Sequence, residues 1–254
     1  MRWSHPLAQL CVCASVMLVP FAAQAATEED PWESVNRPIF QFNDFVDTYA
    51  LKPLAQGYEF VTPQFVEDGI HNMFRNVGDV TNLANNVLQL KPHAAGVDTA
   101  RLIVNTTFGL GGFFDVGTKM GLQRNDEDFG QTLGAWGWRS SRYVELPFFG
   151  PRTVRDVFGL AGDMPLSPIR TIEEDKVRIG LQGLQLVDMR SQLLAIDDMR
   201  ANAVDEYTLV RDAWLQRRNY QIENDLRGKH ARGKDADDTA PIPIDAMPMP
   251  NWGN

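Results

Sequence analysis

DPWESVNRPIFQFNDFVDTY, residues 30–49, carries the strongest helical signal in the chain. It begins with Asp30-Pro31-Trp32-Glu33, the pattern of an N-cap, a proline at the first helical position and a glutamate three residues after the cap. Apolar residues then recur at alternating steps of four and three, at Val35, Ile39, Phe42, Val46 and Tyr49. This spacing places them on one helical face, which Phe40 and Phe45 widen. The stretch therefore predicts an amphipathic helix capped by Asp30.

The aromatic residues of this helix fit two different surroundings. A face turned into the protein core explains the periodicity. A membrane–water interface also suits rings with an apolar body and a polar edge. The acidic side chains of Glu33, Asp44 and Asp47 mean that contact with a membrane would come from apolar insertion and not from attraction to anionic lipid. The membrane interpretation assigns the interface to Trp32, Ile39, Phe40, Phe42, Phe45 and Tyr49.

Helical patterns continue along most of the chain. Further helices are predicted from Thr62-Pro63, over 82–90 and 93–106, and after Pro151. A break is expected at Lys52-Pro53, and residues 172–227 are helical nearly throughout, with a break near Asp197-Asp198. Only 142–149 resembles a strand, and Pro147 limits it to an edge or a short ribbon. The predicted fold is a single, mostly α-helical domain with a short β ribbon.

Both ends of the sequence are predicted to lie outside this domain. Residues 1–25 have the features of an export signal, with Arg2, an apolar stretch and an A-x-A site at Ala23-Gln24-Ala25, so we expect cleavage after Ala25. From Gly228 the chain turns polar and then proline-rich, which predicts a disordered tail over 228–254. The folded domain is therefore expected to span 26–227, and it contains no run of the ~18 uncharged apolar residues that a spanning helix needs.

Composition and missing motifs exclude most catalytic classes. Both cysteines, Cys11 and Cys13, fall in the predicted signal, so no thiol remains for disulfides, thiolate metal sites or a cysteine nucleophile. The net charge of −9 argues against a general nucleic-acid binder. There is no G-x-S-x-G elbow, H-E-x-x-H pair or phosphate-binding glycine loop. The adjacent acids at Glu127-Asp128 and Asp197-Asp198 favour solvated charges or caps, and His71 favours a packing or surface role. We expect no enzyme activity, metal or cofactor.

A glycine-rich apolar segment stands out over 105–115, NTTFGLGGFFD, and LPFFGP over 146–151 has the same character. Glycine lets a backbone bend sharply and approach another surface closely. Each segment can be a buried loop, or a pliable apolar lining for a groove that handles acyl chains. The second interpretation assigns the lining to Phe108, Gly109, Leu110, Gly111, Gly112, Phe113, Phe114, Phe148 and Phe149.

A series of motifs follows one order along residues 30–220: Asp30-Pro31-Trp32-Glu33, Asn36-Arg37, Asn105-Thr106-Thr107, Gly109, Gly111-Gly112, Asp115, Glu127-Asp128-Phe129-Gly130-Gln131-Thr132-Leu133-Gly134, Trp136-Gly137, Leu146-Pro147, Gly150-Pro151, Arg155-Asp156 and Gln216-Arg217-Arg218. In order and spacing, this series resembles the MlaA (VacJ) family of outer-membrane proteins. So many motifs in one order make chance similarity a poor explanation.

The resemblance implies a helical ring around an amphipathic central channel, lying in the inner leaflet of the outer membrane. Such proteins remove mislocalised phospholipids from the outer leaflet and pass them to a soluble periplasmic carrier, MlaC. They associate with trimeric porins and carry out no chemical reaction. Arg124, Arg152 and Arg155 are the candidate headgroup contacts by sequence neighbourhood, and surface or interhelical salt bridges are the alternative.

One feature departs from the family pattern. Many members carry a lipobox that ends in a lipidated cysteine, but the residues before Cys11 and Cys13 do not form a good lipobox. We therefore expect no acyl anchor. A porin-bound scaffold that conducts no lipid is the main alternative function, and a lipid hydrolase is a weaker one, because no nucleophile lies in a recognisable setting.

Overall fold

Residues 29–230 are described by the structure, which is a computed structural model. The predicted signal over 1–25 and the tail beyond residue 230 lie outside the described residues. The elements within the described range, numbered in chain order, are α1 Glu33–Val46, a π-helical turn Asp47–Leu51, α2 Lys52–Val61, α3 Gln64–Leu88, α4 Pro92–Thr107, α5 Val116–Lys119, α6 Phe129–Ala135, β1 Tyr143–Leu146, β2 Gly150–Thr153, α7 Val154–Asp163, α8 Asp175–Ser191, α9 Asp197–Ala201 and α10 Glu206–His230. The mostly α-helical class with a short ribbon is thus confirmed, and α10 continues three residues into the predicted tail.

The start of α1 differs from the prediction. The helix begins at Glu33, and Trp32 occupies the cap position without a side-chain hydrogen bond. Asp30 is fully buried instead, where its Oδ1 accepts a 2.7 Å hydrogen bond from Asn36 and its Oδ2 accepts one from the Tyr207 hydroxyl. Arg211 lies 3.4 Å from the same oxygen. Asp30 therefore ties α1 to α10. A buried carboxylate without a cation and hydrogen-bond donors costs more free energy than a solvent-exposed helix end without a cap, so Asp30 binds Asn36, Tyr207 and Arg211 and does not cap α1.

The predicted break at Lys52-Pro53 is wrong. The chain passes from α1 through the π-helical turn directly into α2, with Pro53 in the first turn of α2. A π-helical turn lacks the ordinary i→i−4 pattern, so it accommodates a residue that has no backbone N–H to donate.

One further boundary also needed tertiary information. The segment 82–90 is not a separate helix, because α3 runs unbroken for 25 residues to Leu88. The break predicted near Asp197-Asp198 is confirmed, since the chain is interrupted on either side of α9, which these two residues open. The helix predicted over 93–106 is confirmed as α4, and the one after Pro151 as α7.

The ribbon is an antiparallel pair in which Tyr143 lies opposite Thr153 and Leu146 lies opposite Gly150. The predicted strand over 142–149 is too long, since Phe148 turns the chain with a φ of 65°. Asn43 on α1 holds this turn: its amide donates to the Leu146 carbonyl at 2.9 Å, and its Oδ1 accepts from the Phe148 N–H at 2.8 Å.

The interior of the molecule is polar. A small aromatic and aliphatic cluster joins α1, β1 and α10, and its members are Phe40, Tyr143, Tyr207, Val210, Trp214 and Leu215. Elsewhere in the described range, buried polar and charged side chains outnumber buried apolar ones, and Phe40 is the one large apolar side chain on α1 to α4 that is buried. A water-soluble domain usually has its large apolar side chains inside and its charged side chains outside, so this distribution is the reverse of the usual one. A buried polar group is costly unless it is hydrogen-bonded.

Candidate functional site

A cavity of about 490 Å³ lies between the helices. Its wall is built by the middle of α3, the turn of the ribbon with β2, α7, the 3₁₀ turns that follow α7, α8 and the middle of α10. Elements from both halves of the chain therefore surround one space, which has the size of a small-molecule pocket.

The apolar part of the wall includes the ribbon turn. Phe148 and Phe149 both line the cavity and remain more than half exposed. The Phe148 ring packs edge-on against Phe42 of α1, with 5.2 Å between ring centroids. Leu160 and Leu186 add aliphatic surface from α7 and α8. The wall thus offers hydrocarbon beside its charged groups.

A buried ion triad forms the charged base of the wall. Arg218 on α10 binds Asp128 through both Nη atoms, at 2.7 and 2.6 Å, and its Nη2 lies 2.7 Å from Asp156 Oδ1. Asp128 also caps α6, and Asp156 completes a capping box with Thr153 at the start of α7. Burial alone would raise the pKa of Asp128, but Arg218 outweighs it and lowers the pKa to about 2. The triad therefore fixes α6, α7 and α10 around the cavity.

A second ion network underlies the α3 side of the wall. Asp79 is fully buried and accepts from Arg124 Nε at 2.7 Å and from Arg101 Nε at 3.4 Å. Arg101 continues to Asp115 at 3.1 Å, and Arg124 also pairs with Asp126. These pairs join α3, α4 and the chain beyond α4 into one frame.

His71 and Asp188 face each other across the cavity wall. His71 Nδ1 lies 2.9 Å from Asp188 Oδ2, and both residues line the cavity. The buried hydroxyl of Tyr58 lies nearby, and its pKa rises to about 12, mainly from burial and then from the charge of Asp188. His71 thus holds α3 to α8, as the predicted packing role requires.

The three predicted headgroup arginines occupy different surroundings. Arg124 and Arg152 line the cavity, whereas Arg155 is outside its described wall. Arg155 is fully buried, and its Nη1 donates to the backbone carbonyls of Trp138 and Arg139 at 3.1 and 3.0 Å. The position of Arg155 favours a structural role over contact with a ligand.

Sequence reasoning missed most of the charged wall. Besides Arg124 and Arg152, the wall carries Arg75, Arg170, Arg217 and Arg218 against the carboxylates Asp128, Asp156, Asp163 and Asp188. Arg217 and Arg218 are adjacent in the sequence, but nothing in the spacing of residues brings α3, α7 and α10 to the same space.

The glycine-rich segment lies outside the described wall of this cavity. Gly112 has a φ of 97° and lies so close to α3 that a Cβ there would stand 2.5 Å from Asn76 Cβ, and the Phe113 ring covers Gly69. Phe108 and Leu110 point outward and are 75% and 70% exposed. The segment is therefore anchored on α3 and presents apolar side chains to the exterior. Its role as a lining of the lipid path stays a prediction.

The apolar face of α1 points outward. Tyr49 is 73% exposed, Phe42, Phe45 and Trp32 are also exposed, and Ile39 is partly exposed. Phe40 is the exception, because it packs against Tyr207 with 5.5 Å between centroids and belongs to the core. Phe40 is therefore the one buried member of this face, and contact of its exposed members with a membrane interface stays a prediction. Among residues 29–230, no helix has both the length and the apolar character needed to cross a membrane.

Comparison with known proteins gives consistent matches. The family model described as "MlaA lipoprotein" matches residues 28–221. The Escherichia coli K12 protein named "Intermembrane phospholipid transport system lipoprotein MlaA" is 32% identical over 213 residues, which are 81% of this chain and 84% of that protein. The Haemophilus influenzae protein of the same name is 29% identical, with 84% and 86% of the two chains covered.

A solved structure supports the same assignment. A chain described under "Structural basis for maintenance of bacterial outer membrane lipid asymmetry" aligns with a TM-score of 0.67 and 31% identity, and the match covers 76% of this chain and 98% of that chain. The family model, the named relatives and the shared fold agree with the motifs seen in the sequence, and the chain belongs to the MlaA family.

Proposed function

We propose that this protein maintains outer-membrane lipid asymmetry by withdrawing mislocalised phospholipids from the outer leaflet and passing them toward the periplasm. The observation that carries this proposal is a cavity with a charged and apolar wall, inside a molecule whose large apolar side chains point outward. A phospholipid needs both kinds of surface, because its headgroup is charged and its chains are hydrocarbon. The names of the related transport proteins support the same role.

The outward apolar side chains suit a protein seated in one leaflet. Six exposed side chains would contact lipid chains and headgroups: Trp32 before α1, Phe42 and Phe45 on α1, Tyr49 in the π-helical turn, and Phe108 and Leu110 after α4. Each large side chain removed from water contributes roughly 1.5–3 kcal/mol to insertion. The protein would then lie in the inner leaflet of the outer membrane without crossing it.

The lipid path is proposed to run through the cavity, with Phe148 and Phe149 against the acyl chains and Arg152 and Arg124 near the headgroup. Residues 108–114 would guide chains from the bilayer at the outer surface. Arg155 would contribute by holding the backbone after α6 and not by touching lipid. No bond is made or broken in this scheme, so we propose that the protein is not an enzyme.

We propose two partners for this activity. A soluble periplasmic carrier of the MlaC type would receive the lipid, and a trimeric porin would hold the protein at the membrane. A porin-bound scaffold without lipid passage is the second candidate, since the same outward apolar side chains could serve porin contact alone.

The membrane association is proposed to need no acyl chain. Neither Cys11 nor Cys13 lies in a good lipobox, although the related proteins are named lipoproteins. We therefore expect the mature chain to begin at Ala26. Mass spectrometry of the purified N-terminus checks this expectation, and a diacylated cysteine there would refute it.

A reversible block of the cavity tests lipid passage directly. The mature chain has no cysteine, so Leu186→Cys places a single thiol on the cavity wall, while Ile179→Cys places one on the exposed surface of the same helix, outside the described wall. Cells that lack the protein receive either variant, and outer-leaflet phospholipid is measured with an acylating enzyme of the outer membrane.

We expect a bulky reagent that forms a mixed disulfide with thiols to raise surface phospholipid in the Leu186→Cys strain alone. A reductant should reverse this effect, and the amount of porin that co-purifies should stay constant. Normal asymmetry with a fully labelled Leu186→Cys protein would favour the scaffold. Lysophospholipid or free fatty acid released by the purified protein would instead indicate a hydrolase.

A further inference from the structure

The cavity wall carries an excess of positive charge in an otherwise acidic chain. Its described lining contains six arginines and four aspartates, whereas the whole chain has a net charge of −9. A cleft of one sign concentrates ligands of the other sign. The excess of positive charge therefore indicates that a molecule entering the cavity carries an anionic group.

Two of these arginines are held by carboxylates. Arg218 is held by Asp128 and Asp156, and Arg124 by Asp79 and Asp126. Their charges are balanced within the protein, so each would have to lose a partner before it could bind a ligand as strongly as an unpaired cation does.

Arg75 and Arg152 differ from these two, and also from Arg170, whose side chain is exposed. Neither forms an ion pair with any residue in the described range, and both lie on the wall, partly buried, on α3 and β2. The only hydrogen bond of the Arg152 side chain within that range goes from Nη1 to the adjacent Pro151 carbonyl, at 2.9 Å. Each guanidinium therefore keeps donors that are free to reach a ligand.

Electrostatics agrees with this geometry. Burial lowers the pKa of Arg152 against the attraction of Asp128, Asp156 and Glu145, and the nearby positive charge of Arg218 lowers it further. Burial also lowers the pKa of Arg124, and Arg75 adds to the shift despite the opposing Asp79. A bound anion would stabilise the charged form of Arg152, and it would offset the repulsion between Arg75 and Arg124.

We propose that Arg75 and Arg152 form a binding site for a phosphodiester group, which is the phosphate of a phospholipid headgroup. The planar, fixed donors of arginine match the oxygens of phosphate. The hydrocarbon of Phe148, Phe149 and Leu186 on the same wall favours a phosphate that carries acyl chains over a free one. This inference rests on the proposed function, whose substrate it makes specific: a lipid is recognised by its phosphate and not by its chains alone.

Binding of matched lipids tests the site. Purified full-length protein in detergent micelles is titrated with phosphatidylglycerol, with diacylglycerol of the same chains and with glycerol 3-phosphate. The variants are Arg75→Gln, Arg152→Gln and Arg75→Lys, and Arg139→Gln serves as a matched control, because Arg139 is exposed and outside the described wall. Thermal melting verifies that each variant is folded.

We expect Arg75→Gln and Arg152→Gln each to weaken phosphatidylglycerol binding about tenfold, the usual worth of a charge-assisted hydrogen bond. Diacylglycerol binding should not change in any variant. Arg75→Lys should keep most of the affinity, and Arg139→Gln should behave as the wild type.

Three outcomes would overturn the site. Unchanged phosphatidylglycerol binding in both glutamine variants would remove these arginines from recognition, and an equal loss for both lipids would indicate a structural role. Glycerol 3-phosphate that binds as tightly as phosphatidylglycerol would assign the site to free phosphate. In each of these cases a wild type that still binds lipid leaves the proposed function standing, whereas a wild type that binds neither lipid would refute both proposals.

Discussion

Arg218→Met removes the cation at the centre of the ion triad and leaves two carboxylates facing each other. The Arg218 side chain is only 7% exposed, and Asp156 is 4% exposed, so water cannot replace the lost charge well. Four hydrogen bonds to Asp128 and Asp156 disappear with the guanidinium. Methionine preserves much of the side-chain length and apolar volume, which keeps the change mainly electrostatic.

The expected cost is about 3–5 kcal/mol in the free energy of unfolding at pH 7, as for the removal of one partner from a buried ion pair. This is a large fraction of the total stability of a typical domain. Arg218→Lys should lose less, because lysine keeps the charge but not the fork that binds Asp128 through two donors.

The pH dependence distinguishes a charge effect from a packing effect. In the wild type the pKa of Asp128 is lowered to about 2 from its ordinary 3.8, so its contribution is present above pH 3.8 and is lost as the pH falls through 2. In Arg218→Met, Asp128 loses its cation and Asp156 keeps only the 3.4 Å contact with Arg155, so burial raises the pKa of Asp128. The variant therefore gains stability by protonation as the pH falls, and its deficit should shrink between pH 7 and pH 4.

Denaturant unfolding in micelles, followed by tryptophan fluorescence, measures this deficit, and Trp214 lies one helical turn from position 218. Arg139→Met provides the control, since its side chain is exposed. A loss below about 1 kcal/mol, the level of a surface ion pair, would refute the buried-triad argument. So would a deficit that stays constant from pH 7 to pH 4.

Three further predictions follow from the same contacts. Gly112→Val should lower the unfolding free energy by at least about 2 kcal/mol, because the new Cβ would overlap Asn76. Gly111→Ala meets open space and should lower it by about 1–2 kcal/mol, because alanine disfavours the positive φ at this position. Denaturant titration compares the two variants. Phe108→Ser should weaken partitioning into phospholipid vesicles about tenfold or more with an unchanged melting temperature, and flotation assays that show equal binding would exclude this ring from the membrane contact. Burial and the charge of Glu127 raise the pKa of Asp225 from 3.8 to about 7. The stability that protonated Asp225 contributes is therefore present below pH 4 and is lost as the pH rises through 7. Asp225→Asn should abolish this pH dependence of the melting temperature between pH 4 and 8.

The sequence predicted the helices better than it predicted their surroundings. The spacing of Val35, Ile39 and Phe42 indicated one apolar helical face, and α1 has that face. The direction of the face could not be predicted, because a helix turned toward lipid and a helix turned toward a core have the same period. Asp30 shows a similar limit: its position fits a cap, and only the presence of Tyr207 and Arg211 makes it a buried anchor.

The family was recognisable from the sequence alone, since motif order and spacing are properties of the chain. Local signals also determined most helices and the ribbon, because capping, proline and periodicity act within a few residues. The tertiary structure decided which charges balance each other. Arg218 meets Asp128 across 90 residues and Arg124 meets Asp79 across 45, while Arg75 and Arg152 are left on the cavity wall without a carboxylate in the described range. Coulomb energy depends on distance in space and on burial, and neither quantity can be read from positions along the chain.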